Sequence, residues 1–140
     1  MNKFICMLIL FLSISPVKAE NITDAVYSNN YDGDTVSFNI PNLPDVFGKN
    51  ISVRVYGIDT PEIKSKNKCE KEKALVVQKF VRDELSNAKI IILEDCQRDK
   101  YFRILAKIRY DNKDLTTELL NHNYGYEYYG ETKKKINYCN

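Results

Sequence analysis

The stretch AVYSNNYDGDTVSFNI, from Ala25 to Ile40, reads as two strands around a tight turn. Val36, Phe38 and Ile40 alternate with polar residues, the period-two pattern of a sheet that buries one face. Asp32-Gly33 between the two runs is a turn signal, because glycine accepts positive φ at no steric cost. Outward from it, Pro41 to Asn50 carries two prolines, a glycine and two asparagines and reads as a loop. Ile51 to Ile58 is a third strand, with Val53 and Val55 on one face and Arg54 on the other.

Asn67 to Asn87 has helical spacing: Ala74, Val77, Val81 and Leu85 recur every three or four residues, joined by Phe80, while charged residues mostly fill the other side. Lys89 to Glu94 and Arg103 to Tyr110 are two more strands, Asp111 to Lys113 a turn, and Leu115 to Asn123 a short helix. This order predicts a mainly β protein: a five-stranded OB-fold barrel with a long helix between strands 3 and 4 and a short C-terminal helix. An open α+β sheet is compatible with the same periodicity.

The chain has 140 residues, enough for one domain with a core. Residues 1–19 read as a cleaved signal peptide. Lys3 precedes an apolar run from Phe4 to Ile14 broken only by Ser13, and Val17-Lys18-Ala19 presents small residues where a signal peptidase cuts. About eleven apolar residues cannot cross a hydrocarbon layer that takes ~20. Residues 20–140 would then be a single exported domain, periplasmic or secreted, monomeric and free of the membrane. The leader carries Lys3 and Lys18, so 21 Lys+Arg become 19 against 19 Asp+Glu, and the net charge falls from +2 to 0. Global charge therefore argues nothing about nucleic acid, and any such partner must be met by a local patch.

Three clusters stand at predicted strand ends. Asp32-Gly33-Asp34-Thr35 is a hairpin turn or an oxygen-ligand site for a hard cation, but lacks the spaced acids and terminal Glu of an EF-hand. Arg54 with Asp59-Thr60-Pro61-Glu62 is a proline-stiffened turn or a second group of ligands. An inward Arg54 would need an anion to pair with. Arg98-Asp99-Lys100-Tyr101-Phe102-Arg103 is a solvated strand start, or a grip on phosphate beside a stacking aromatic.

In order and internal spacing, these three clusters resemble the signatures of the staphylococcal nuclease (thermonuclease) family, over roughly Ala25 to Tyr129. The resemblance implies a Ca²⁺-dependent nuclease that cuts DNA and RNA and leaves 3′-phosphate ends. It implies that Asp34, Asp59 and the Thr60 carbonyl bind Ca²⁺, with Asp32 acting from behind them without touching the ion. Glu62 would orient or deprotonate the attacking water, and Arg54 and Arg103 would hold the phosphate. Lys100 and Tyr101 would contact a neighbouring phosphate, and one of Tyr126, Tyr128 or Tyr129 would pack on the nucleotide. Nuclease-like modules that bind without chemistry lack some of these acids or arginines; Asp34, Asp59, Glu62, Arg54 and Arg103 are all present here. One departure is Phe102, where the family commonly has glycine.

Some residues read as structural. His122 has no partner at metal-ligand spacing, and Lys133-Lys134-Lys135 reads as a solvated charge run. Cys69, Cys96 and Cys139 follow the leader, and export permits one disulfide among them. The expected bridge is Cys69–Cys139 with Cys96 left free, because Cys96 leads into the third cluster, where a crosslink would constrain it. The Cys69–Cys139 bridge would pin the tail beside the site. The chain-entropy model gives it about 4 kcal/mol against ~3.5 for Cys69–Cys96, a difference too small to choose between them.

Overall fold

The computed structural model describes residues 19–139, so the expected leader up to Lys18 lies outside the described residues. In chain order the elements are β1 (Glu20–Ile22), β2 (Val26–Asn30), β3 (Thr35–Asn39), α1 (Asp45–Gly48), β4 (Ile51–Val55), β5 (Gly57–Asp59), α2 (Lys68–Ser86), β6 (Ile91–Arg98), β7 (Ile104–Tyr110), β8 (Lys113–Asp114), α3 (Leu115–Asn121) and β9 (Tyr126–Tyr128). The described residues are thus mainly β with three helices. None of these helices is long and apolar enough to cross a membrane.

The main sheet runs β1-β6-β7-β4-β3-β2, with β8 added to β7, and β5 pairs separately with β9. All neighbours are antiparallel except β4 and β7, which run parallel with Val53 opposite Ile104 and Val55 opposite Ala106. Alternation sets the buried face: Val36 and Phe38 of β3, Val53 and Val55 of β4, and Leu93 and Ile108 of β6 and β7 are almost fully buried. They meet Val77, Val81 and Leu85 of α2 and Leu115 and Leu119 of α3 in one core. Each such side chain contributes about 1.5–3 kcal/mol on burial.

Three expectations change. Five strands become nine segments. β1, β8 and β9 have three residues or fewer, too short to show a period, and the third expected strand breaks at Tyr56, where Gly57 takes φ +84°. The Pro41–Asn50 loop holds α1, opened by Pro44, whose carbonyl accepts from Phe47 and Gly48 N–H. The hydrogen-bond ladder does not close into a barrel, because no pairing joins β1 to β2 among the described residues. Instead the chain bends through residues 23–25, and one N-terminal stretch serves both sheet edges.

α2 is amphipathic, capped by Asn67, whose Oδ1 accepts from Glu70 N–H at 3.0 Å. The Glu70 carboxylate accepts in turn from Ser65 Oγ and from Glu62 N–H at 2.5 and 3.2 Å. The helix start therefore fixes the loop that carries Glu62. Cys139 is joined to Cys69 in the first turn of α2 by a disulfide, while Cys96 is free.

Two backbone positions bear on the site. Gly33 does not take positive φ, against the sequence expectation. Its need is space: a Cβ there would collide with Val77 Cγ1 of α2 and stand 2.9 Å from Thr60 Cγ2. Phe102, in the β6–β7 hairpin loop, has φ +62°. The other five non-glycine residues with positive φ among the described residues are Asn or Asp, which tolerate it. Phe102 is bulky and 82% exposed, so burial does not offset the strain.

Gly33→Ala should lower stability by about 1–3 kcal/mol, the cost of overpacking a filled site. Urea denaturation should show a lower midpoint at unchanged slope; an unchanged midpoint would refute the close approach. Phe102→Gly should do the reverse. Relief of a left-handed backbone, about 1–2 kcal/mol, outweighs the ~0.4–1 kcal/mol that glycine adds to unfolded-state entropy. A fall in its midpoint would show that Phe102 makes a stabilising contact.

Candidate active site

β3, β4 and β5 end around one guanidinium. Arg54 stands opposite Thr35 on one side and Leu105 on the other, and its side chain turns away from the face that buries Val53 and Val55. Its Nη1 pairs with Asp34 Oδ1 and donates to the Asp34 carbonyl at 3.2 Å, and Nη2 donates to Asp59 Oδ1 at 3.0 Å. Asp34 Oδ2 accepts from Thr60 N–H and Oγ1 at 2.8 and 3.0 Å. Asp59 Oδ2 accepts from Tyr126 Oη at 2.9 Å. Arg54, Asp34, Asp59 and Thr60 are all buried, and burying charge is tolerable only with such full pairing. The anion that an inward Arg54 demands is supplied by the chain's own carboxylates.

Asp32 sits behind this network. Its Oδ1 accepts from Asp34 and Thr35 N–H at 3.1 and 2.8 Å, an Asx turn that shapes the loop. Burial first, then the negative charges of Asp34 and Glu62, push its carboxyl up to about 7 against those hydrogen bonds. Glu62 is half exposed at the rim, and Lys133 reaches it from the tail, donating to Glu62 Oε1 at 3.1 Å and pairing with Asp59 Oδ1 at 2.9 Å. Burial opposes the Lys133 charge, but these two carboxylates raise its pKa overall. Three carboxylates, those of Asp34, Asp59 and Glu62, thus bond Arg54 and Lys133, with Asp32 behind them.

The third cluster is a self-bonded loop. Asp99 Oδ1 accepts from Tyr101 and Arg103 N–H at 2.8 and 2.9 Å, and Asp99 Oδ2 pairs with Arg103 Nε at 2.8 Å. These bonds hold the Asp99 carboxyl below its ordinary pKa despite some burial. Arg103 lies 5.5 Å from the Tyr101 ring centroid, and Lys100 5.2 Å. A cleft of about 250 Å³ brings this loop to the first arginine: Arg54, Arg103, Lys100 and Tyr101 line it together with Tyr56, Tyr128 and Tyr129.

The structure thus brings Asp32, Asp34, Arg54, Asp59, Thr60 and Glu62 together, and joins Arg54 to Lys100, Tyr101, Arg103, Tyr128 and Tyr129 through the cleft. Tyr126 departs from the expected nucleotide contact. Its register opposite Asp59 turns its hydroxyl onto that carboxylate, where burial and the negative charge push it up to about 12. The Lys133–Lys135 run is not uniformly solvated, since Lys133 is held by two acids. Sequence reading also passed over Tyr56, whose ring tilts against Tyr129 at 5.5 Å in the cleft wall. Its place just before Gly57, a glycine inside a predicted strand, was the available signal. His122 stays structural, its Nδ1 against the Glu118 carbonyl and its ring against Phe80 and Tyr124.

Among the described residues no group of three or more His, Cys, Asp or Glu side chains is disposed to hold a metal ion. The ligand set expected from sequence asks for only two side chains in direct contact, Asp34 and Asp59, plus a carbonyl. Its chemistry fits a hard divalent cation: every donor is oxygen, and both side-chain donors are carboxylates.

No curated protein matches the chain. The family model described as "Staphylococcal nuclease homologue" matches residues 52–139, which carry Arg54, Asp59, Glu62, Arg103 and the cleft tyrosines. With more than half of its length matched, the chain belongs to the staphylococcal nuclease homologue family.

Proposed function

We propose that this chain is an exported, Ca²⁺-dependent phosphodiesterase that hydrolyses DNA and RNA, leaving 3′-phosphate ends. Its sheet is read as an OB-type barrel whose closure runs through the bend at residues 23–25 rather than through hydrogen bonds. One observation carries the reading. Arg54 near the end of β4 and Arg103 just before its parallel partner β7 line one cleft with Lys100, Tyr101, Tyr128 and Tyr129, beside an acidic group that includes Glu62.

A phosphodiester is already anionic, so attack by water needs positive charge at the non-bridging oxygens as negative charge develops. Arg103 offers those oxygens a guanidinium held in place by Asp99, and Arg54 offers the N–H groups left over from its bonds to Asp34 and Asp59. Glu62, half exposed, takes a proton from the water that attacks phosphorus, and the 5′ oxygen departs as its bond to phosphorus breaks and takes a proton from solvent. Tyr128 and Tyr129 offer faces for a base, and Lys100 a charge for the next phosphate. Asp34, Asp59 and the Thr60 carbonyl are the groups that would hold Ca²⁺, with Asp32 behind them. Such an ion adds charge stabilisation at the phosphate and suits export, where calcium sites need bind only at about 10⁻⁴ to 10⁻³ M.

Calcium should support cleavage of single- and double-stranded DNA and of RNA, and a chelator should abolish it; full activity in chelator would sink the mechanism. Magnesium should substitute poorly, since it demands tighter octahedral geometry and keeps its waters. Arg54→Lys and Arg103→Lys keep the charge but lose the fork, and kcat should fall by at least ~10², the order seen when one preorganised donor is lost. Near-normal turnover in both would assign the guanidiniums a structural part.

A further inference from the structure

The tail after β9 returns to the acidic group although no strand or helix carries it there. Two anchors do so. The β5–β9 ladder sets Tyr126 opposite Asp59, and the Cys69–Cys139 disulfide fastens the far end to the first turn of α2. Lys133 lies between these anchors, and its ammonium bonds Asp59 Oδ1 and Glu62 Oε1 together. The tail backbone adds a further tie, Lys134 N–H donating to the Tyr126 hydroxyl at 3.1 Å.

The two oxygens that Lys133 bonds belong to one residue read as a cation ligand and one read as acting on water. A lysine ammonium is a compact point charge that carries no second positive charge and fixes no coordination geometry. It satisfies these carboxylates while opposing a divalent cation at the same oxygens. Anchoring at both ends keeps it near them, since tethering turns a second encounter into an intramolecular one at an effective concentration in the millimolar range for short flexible links.

We propose that Lys133 is a built-in counterion that competes with the divalent cation for Asp59 and Glu62, held in place by the Cys69–Cys139 crosslink, so that the tail sets the calcium concentration at which the site fills. The inference rests on the calcium reading above. It makes the crosslink a control on the site as well as a staple: a chain without the disulfide has a freer strap and a lower calcium threshold. The same release would leave Glu62 free to meet water.

The test is direct calcium binding, measured by titration calorimetry on the full oxidised chain without substrate. Lys133→Met should bind Ca²⁺ at least about 5-fold more tightly than the parent, the low end of coupling between linked sites. Lys135→Met removes the same charge from the tail without the contact and should stay within about 2-fold, the scale of an exposed charge. The Cys69→Ser/Cys139→Ser variant should shift affinity in the same direction as Lys133→Met, and adding Lys133→Met to it should give less than the sum, as expected for two changes to one device. Thermal unfolding of each variant checks that the fold is kept. Equal calcium affinity in the parent and Lys133→Met would overturn the competition while leaving the calcium reading intact. Absence of binding in both would overturn the calcium reading and the inference with it. Tighter binding in Lys133→Met but not in the crosslink variant would overturn the part assigned to the disulfide.

Discussion

A single buried guanidinium holds the acidic end of this molecule together. Arg54 on β4 reaches Asp34, which follows the Asp32 turn and leads into β3, and Asp59 at the end of β5. Burying three charges is costly unless every hydrogen-bonding direction is satisfied. Thr60 and Tyr126 meet that demand at the two carboxylates, and among the described residues no buried side-chain nitrogen or oxygen lacks a partner. Removing any member would strand the others, so the group behaves as one unit. Its rigidity is what lets a site built from strand ends keep a fixed geometry.

The core and the site are coupled through close packing. Val77 of α2 presses against Gly33, and Gln78 of the same helix exchanges hydrogen bonds with the turn: its Nε2 donates to the Tyr31 carbonyl, and its own carbonyl accepts from Asn30 Nδ2. The cap of α2 reaches the Glu62 loop through Glu70. One helix thus sets the depth of the first acidic loop and the position of the second. Interiors at crystal-like density transmit small displacements, so changes along α2 would be felt at the carboxylates.

Sequence made much of this legible because period-two and period-3.6 patterns follow directly from which face is buried. Val36 and Phe38, Val53 and Val55, and Ala74 to Leu85 announce their elements by alternation or helical spacing. The three signature clusters likewise carry their spacing in the chain. What could not be read depends on contacts between distant residues. Nothing local marks Lys133 out from Lys134 and Lys135; the Cys69–Cys139 crosslink and the β9 register do so. Tyr126 and Tyr128 share one face of a three-residue strand and differ only in what lies opposite them. Gly33 looked like a turn glycine because a missing Cβ serves tight turns and tight packing equally well.

The bend at residues 23–25 has a consequence for solubility. One short stretch supplies both outer strands of the main sheet, β1 against β6 and β2 against β3. These edges are only three and five residues long, which offers little template to another chain. Were that stretch clipped or peeled away, the eight-residue β6 and the five-residue β3 would become free edges at once, each with a row of unpaired N–H and C=O groups. Proteolytic trimming of this one stretch would then turn a protected sheet into a doubly adhesive one, so aggregation rather than loss of an acidic-site residue would be the first sign of damage at this end of the molecule.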